Sequence, residues 1–206
     1  MFDHLTNSSK NYQLNVCSPN CPKAANDWSA LSDKLHIILE NYDFDTKIHQ
    51  KSSSHYHYLP KVAIAGCPNG CSQPKIKDFG ILGYVRPQIT DKLCLKCLAC
   101  KRSCLEDAIT LTETSIKIDG SKCLACGDCI RSCPAGTIKA GEKGWELRQG
   151  GRVGRHPRFA EPVGYSSKDK EVVEWVSRTL TDFLEKGKMG ERLTHFLERT
   201  SKLISP

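Results

Sequence analysis

Apolar residues return at steps of three and four over residues 24–40, where Ala24, Trp28, Leu31, Leu35 and Ile38 share one face, which predicts an amphipathic helix. Asn26 or Asp27 is placed to cap it. Lys61–Gly66, KVAIAG, is instead a short continuous apolar run closed by glycine, the pattern of a buried strand that presents Cys67 at its tip. Phe79–Tyr84, FGILGY, also has strand composition, and Pro87 is expected to break it. Ala108–Asp119, rich in Ile and Thr with a turn at Asp119-Gly120, predicts short strands. Gly144–Arg148 reads as a strand entering a glycine-rich, basic loop over Gly150–Pro157. Ser166 followed by Asp169 forms the pattern of a capping box for a helix whose face carries Val172, Val176, Leu180, Phe183 and Leu184, with Gly187 at its end. A last helix uses Leu193, Phe196, Leu197, Thr200 and Ile204, and both apolar stripes read as core. Lys51–Tyr58, KSSSHYHY, has no period and reads as a surface loop, so His55 and His57 are read as loop residues rather than ligands. Strands alternating with flanking helices define the fold class as α+β.

A chain of 206 residues with 39% hydrophobic content can bury a core large enough to fold alone, and one compact body carrying an insert is expected. No run approaches the ~18 apolar residues of a membrane span, and Met1–Lys10 lacks a basic-then-apolar signal pattern, so a cytoplasmic protein is expected. The formal charge of +7 would ordinarily raise nucleic acid as a partner. That count treats every cysteine as neutral. Cysteines that serve as metal ligands are thiolates, whose negative charge would offset most of the excess, so nucleic acid is not expected as a partner.

The twelve cysteines fall into three sets of four. Cys94, Cys97, Cys100, Cys104 and then Cys123, Cys126, Cys129, Cys133 spell C-x2-C-x2-C-x3-C twice, an internal repeat. The third set is Cys17, Cys21, Cys67 and Cys71. In a reducing compartment such packing points to metal ligands rather than disulfides. A [4Fe-4S] cube needs one soft thiolate at each iron corner, so one tight loop supplies three and the fourth comes from elsewhere. In the two-cluster ferredoxin pattern it comes from the opposite half. This assigns Cys94, Cys97, Cys100 and Cys133 to one cluster and Cys123, Cys126, Cys129 and Cys104 to a second. Paired zinc sites are the alternative, but three cysteines within seven residues, twice over, disfavour them.

Residues 92–140 resemble a bacterial two-cluster ferredoxin: Cys133-Pro134 matches the usual Cys-Pro ending, while Cys104 is followed by Leu105. Around Cys67 the chain reads VAIAGCPNGCSQPKIKDFGILG, which resembles the sirohaem and [4Fe-4S] domain of sulfite and nitrite reductases. The likeness extends to GWELRQGGRVGRHP at Gly144–Pro157 and to Met189–Arg192. It implies a third cluster on Cys17, Cys21, Cys67 and Cys71, with Cys71 bridging that cluster to sirohaem iron. The family's first pair is usually C-x5-C; here Cys17 and Cys21 form C-x3-C, a loop shortened on the Cys17 side.

The resemblance further implies a discontinuous reductase-type domain over residues 1–89 with 142–206, and an inserted ferredoxin module over 90–141, as in dissimilatory and other anaerobic sulfite reductases. Electrons would pass from a donor protein (a ferredoxin, flavoprotein or reductase subunit) through the two insert clusters to the third cluster and a haem that reduces sulfite or nitrite. Lys75, Lys77, Arg152, Arg155, His156 and Arg158 are the candidate cations for an anion or for haem carboxylates. Family members normally carry a substrate domain ahead of the first cysteine pair, and sixteen residues precede Cys17, so that domain is expected to be missing. This leaves three readings: a small sirohaem-type oxidoreductase or its electron-delivering subunit; a noncatalytic three-cluster electron carrier; and a subunit completing a pocket on a catalytic partner.

Overall fold

The computed structural model describes residues 5–8, 11–44, 57–112 and 115–201. Its main sheet has six strands: β1 (Leu5–Ser8), β2 (Gln13–Val16), β3 (Lys61–Ala65), β4 (Phe79–Ile89), β7 (Ile138–Gln149) and β8 (Glu161–Ser166), ordered β1-β2-β3-β4-β7-β8. β2, β3 and β4 run parallel, and the outer pairings are antiparallel. β5 (Ile109–Leu111) and β6 (Ile116–Ile118) form a separate antiparallel ribbon. α1 (Ser29–Glu40) crosses between β2 and β3. Two short helices, α2 (Ala99–Ser103) and α3 (Asp128–Arg131), lie between β4 and β7, while α4 (Asp169–Lys186) and α5 (Leu193–Ser201) close the chain.

The core lies between the sheet and the three longer helices. Leu31, Leu35 and Leu39 of α1 meet Val172, Val176, Leu180 and Phe183 of α4 over Leu14, Ile64, Ile81 and Trp145. Burying a side chain of this size contributes about 1.5–3 kcal/mol, so this stripe carries most of the stability. Leu39 takes the innermost position expected of Ile38, which is only partly covered. α1 also begins later than its apolar period: the Ala25 and Asn26 amides donate to the Gly66 carbonyl at 2.7 and 2.9 Å, so those residues bind the cysteine loop instead of starting the helix. Neither Asn26 nor Asp27 is the cap: the N-cap is Trp28, with no side-chain capping bond, and Asp27 accepts from the Ser29 amide at 3.0 Å just ahead of the helix.

Two further expectations change. Pro87 does not end its strand; β4 continues to Ile89 with a register shift between Val85 and Pro87, where a residue lacking an N–H costs the ladder nothing. The Ser166 hydroxyl accepts from the Lys168 amide and donates to Glu171, not to Asp169. Asp169 instead accepts from the Trp145 indole at 3.0 Å and from Lys34 at 2.8 Å. Gly187 ends α4 as expected, its amide on the Phe183 carbonyl. His57 is exposed, while His55, most of the 51–58 run and Ile204 lie outside the described residues. No helix among the described residues is long and apolar enough to cross a membrane.

Candidate metal centres

Parallel pairing of β2 with β3 places their C-terminal ends side by side, with Val16 opposite Ile64. Cys17 follows the first strand and Cys67 the second. The Cys17 amide continues the ladder to the Ile64 carbonyl at 3.2 Å, and the Gly66 amide donates to Cys17 Sγ at 3.2 Å. Gly83 makes this approach possible: a Cβ there would lie 2.4 Å from the Gly66 carbonyl oxygen. Cys17, Cys21, Cys67 and Cys71 thus line one cleft. Burial pushes the Cys17 and Cys67 thiols up, with backbone amides partly opposing it. Cys71 is half-exposed, its sulfur accepting from Asn69 Nδ2 at 3.0 Å.

Residues between β4 and β7 hold the other eight cysteines. A 29-residue offset superposes the two halves: Lys96 and Leu98 have φ of 52° and 60°, and their counterparts Ala125 and Gly127 have 55° and 80°. Arg102 donates to the Cys97 carbonyl and Arg131 to the Cys126 carbonyl, each at 2.9 Å. Ile109 pairs with Ile118 in the β5–β6 ribbon as Ile138 pairs with Ile89 at the end of the main-sheet hairpin. The counterparts Ser103 and Ser132 meet at 2.8 Å on the pseudo-twofold axis. The second half therefore borrows its ribbon from β4 and β7, and the segment joins the main body through continuous strands.

Each C-x2-C-x2-C loop turns around its first sulfur, with the Lys96 amide on Cys94 Sγ and the Ala125 amide on Cys123 Sγ, both at 3.4 Å. The fourth cysteine crosses over. Cys94, Cys97 and Cys100 share a cleft with Cys133, and Cys104 joins Cys123, Cys126 and Cys129. Burial, followed by these neighbouring thiols, pushes Cys129 up to about 12. At Cys133 the amides of Ile138, Thr137, Ala135 and Gly136 outweigh burial and hold the thiol below its usual range. All twelve cysteines are free. No three described His, Cys, Asp or Glu side chains close on a single-ion point.

A larger cleft, about 1510 Å3 of open space, is shared by Cys21, Cys67 and Cys71 on one side and Cys104, Cys123, Cys126 and Cys129 on the other. Lys23, two residues after Cys21, clamps its wall by a 2.7 Å ion pair to Asp128, which Arg131 also holds at 2.9 Å. Burial opposes the Asp128 charge, but these two cations keep its carboxyl below the usual range. The Val85 amide bonds the Ala125 carbonyl at 2.8 Å, tying β4 to the same loop.

The basic candidates follow the same loop. From Cys71 the chain turns through a 3-10 turn at Pro74–Ile76, with Pro74 packed on Gly70 of the cysteine loop, and Asp78 reaches the start of β3, where it accepts from the Lys61 amide. The glycine-rich loop docks there: Gly150, Gly151 and Ala160 donate to the carbonyls of Asp78, Lys77 and Lys75 at 2.9, 2.9 and 2.7 Å. Arg152 is held by Glu198 at 2.7 Å and by the His156 carbonyl at 2.9 Å. Arg158 pairs with Glu161 at 2.5 Å, and its Nη1 is buried without a hydrogen bond. Lys75, Arg155 and His156 are exposed, and burial lowers the half-buried Lys77. Asp78, which sequence reasoning missed, is fully buried beneath this loop and accepts from the Lys61 amide at 2.9 Å; only its lone charge within a strand boundary hinted at it.

An α+β sheet that gathers thiols at the ends of parallel strands defines an iron-sulfur oxidoreductase scaffold of the sulfite and nitrite reductase type. The chain belongs to the nitrite and sulphite reductase 4Fe-4S domain family, whose model matches residues 6–201. It is 31% identical over 175 residues to the coenzyme F420-dependent sulfite reductase of Methanocaldococcus jannaschii, covering 84% of this chain and 26% of that protein. It is 29% identical over 181 residues to one of the subunits of the anaerobic sulfite reductase of Salmonella typhimurium, covering 85% of this chain and 49% of that one. The chain thus spans half or less of the curated relatives it matches. The crystal structure of dissimilatory sulfite reductase I shares the fold, with a TM-score of 0.63 at 20% identity over 95% of this chain and 51% of that one.

Proposed function

We propose that this chain is the electron-delivering iron-sulfur part of a sulfite- or nitrite-reducing oxidoreductase. In this reading residues 90–141 are an inserted two-cluster ferredoxin module. Cys94, Cys97, Cys100 and Cys133 hold a distal [4Fe-4S] cluster, Cys104, Cys123, Cys126 and Cys129 a middle one, and Cys17, Cys21, Cys67 and Cys71 an outer one. The observation that carries this order is the cleft shared by the outer quartet and the Cys104 quartet. Quartets that line clefts instead of closing on a point suit cubes better than single zinc ions.

The clusters supply one-electron transfer, and the chain tunes them. Amides of Gly66, Lys96, Ala125 and Ile138 donate to Sγ atoms. Each such bond draws charge from a thiolate and favours the reduced state. Cys71, half-exposed like Cys21, is the ligand that by the family resemblance would be shared with sirohaem iron; Asn69 fixes its direction. Arg152 and Arg158 are engaged by Glu198 and Glu161, so Lys75, Lys77 and Arg155 are the cations left for anionic groups such as tetrapyrrole carboxylates.

A noncatalytic three-cluster carrier is the second reading. It is favoured by Glu198, which already engages Arg152 and lies 3.7 Å from Arg158. Anaerobic purification, pigment extraction and a sulfite or nitrite turnover assay with reduced methyl viologen separate the two. The reductase reading expects extractable sirohaem and donor oxidation on adding the anion. Fully cluster-loaded protein with neither property would establish the carrier.

A further inference from the structure

The internal repeat offers a built-in control for what each cysteine loop faces. At 29-residue offset, Ala125 of the middle loop is 7% exposed and bonded to β4, whereas its counterpart Lys96 is exposed. Gly127 is buried, and a Cβ there would lie 2.6 Å from Val85; its counterpart is Leu98, a bulky residue carried at φ 60° on the surface. Cys126 is half-covered and Cys97 exposed. Folding explains the small residues of the middle loop, since β4 lies against them. It does not require a large one in left-handed backbone on the distal side, where Leu98 lines the cysteine cleft and is still 44% exposed.

The distal loop also carries Leu93 at 89% exposure, where the middle loop has Lys122, and Leu95 at 66%, where the middle loop has Leu124 at 53%; Leu95 forms part of the wall of the distal cleft. Exposed Lys92, Lys96 and Lys101 flank these leucines along the chain, Lys92 lying over Gly136, and none of the three makes an ion pair among the described residues; Asp91 is the acid next in sequence. An apolar centre with a rim of unpaired like charge over an accessible thiol is the composition of a transient docking site.

We propose that the face formed by Leu93, Leu95 and Leu98 within the Lys92, Lys96 and Lys101 rim is where an acidic redox protein docks to load the distal quartet. The proposal rests on the relay reading above and adds the entry point and the charge of the donor. The leucines exclude water between the two cofactors, and the lysines steer an anionic partner and set its orientation.

The test uses anaerobic, cluster-loaded protein and stopped-flow reduction by a reduced acidic bacterial ferredoxin as the probe. Reversing the rim, with Lys92→Glu, Lys96→Glu and Lys101→Glu together, is compared with Lys168→Glu, Lys170→Glu and Lys186→Glu at α4, an equal change in net charge. The rim variant is expected to lose about tenfold or more in second-order rate at low salt, together with most of the salt dependence, at unchanged iron content. The α4 variant is expected to stay within about twofold of the unsubstituted protein. Equal slowing of both variants, or of neither, would overturn the docking face. A loaded, unsubstituted protein whose distal cluster takes no electron from any reductant would instead overturn the relay, and the entry point with it.

Discussion

The outer quartet and the two quartets of the repeat gather four thiols by opposite routes. Cys17 and Cys67 meet because two parallel strands, fifty residues apart in the chain, are in register with their ends together. The repeat quartets need only seven-residue loops and one crossing cysteine, held by left-handed turns that the chain writes twice. The first depends on the main core and the distal quartet mostly on local geometry, while the middle quartet also leans on β4 through the Val85–Ala125 bond. A perturbation at the ends of the parallel strands should therefore reach the outer centre first.

Gly83→Val is the sharpest way to break the comparison. Its Cβ would meet the Gly66 carbonyl and Asn26, so the cost should exceed about 3 kcal/mol and iron should fall from roughly twelve to roughly eight per chain. Equal loss from all three centres would show that the quartets are not independent.

Asp78 separates the regions by pH. Burial raises its carboxyl to about 6, with Lys61 opposing, so the folded state holds this proton more tightly than the unfolded chain does. The resulting stability is complete below about pH 4 and is lost as pH rises through about 6. Asp78→Asn should remove that slope and gain on the order of 2–3 kcal/mol relative to the parent between those limits, read by denaturation at several pH values. A parallel pH dependence in both proteins would contradict it.

Gly127→Ala tests the other side. Backbone strain at φ 80° and the Val85 contact should cost about 2 kcal/mol and loosen the middle cluster first, visible as loss of its reduced-state magnetic signal. Asp128→Asn should do least. Its partner Lys23 is largely exposed, so weakening the clamp should cost about 1 kcal/mol or less by thermal denaturation, with iron retained.

The same contrast explains what the chain made legible. Spacing picks out the two insert quartets, because three members of each are neighbours in sequence, whereas the outer quartet was expected from the family resemblance. Periodicity found α1, α4 and α5, whose faces repeat often enough to read. β2 was missed because Gln13 and Asn15 interrupt it, although Gln13 is itself buried against Pro60 and Lys61. Pro87 misled because a bulge absorbs it, and the start of α1 because Gly66 claims the amides of Ala25 and Asn26. Engagement of Arg152 by Glu198, forty-six residues away, left no local sign at all.

Iron and acid-labile sulfide per chain, measured on anaerobically prepared protein, test the central claim most directly. Three thiol quartets acting as three cubes require roughly twelve irons and roughly twelve sulfides, with one more iron if sirohaem is bound. A count near eight that is unchanged by Gly83→Val would mean that Cys17, Cys21, Cys67 and Cys71 hold no cluster.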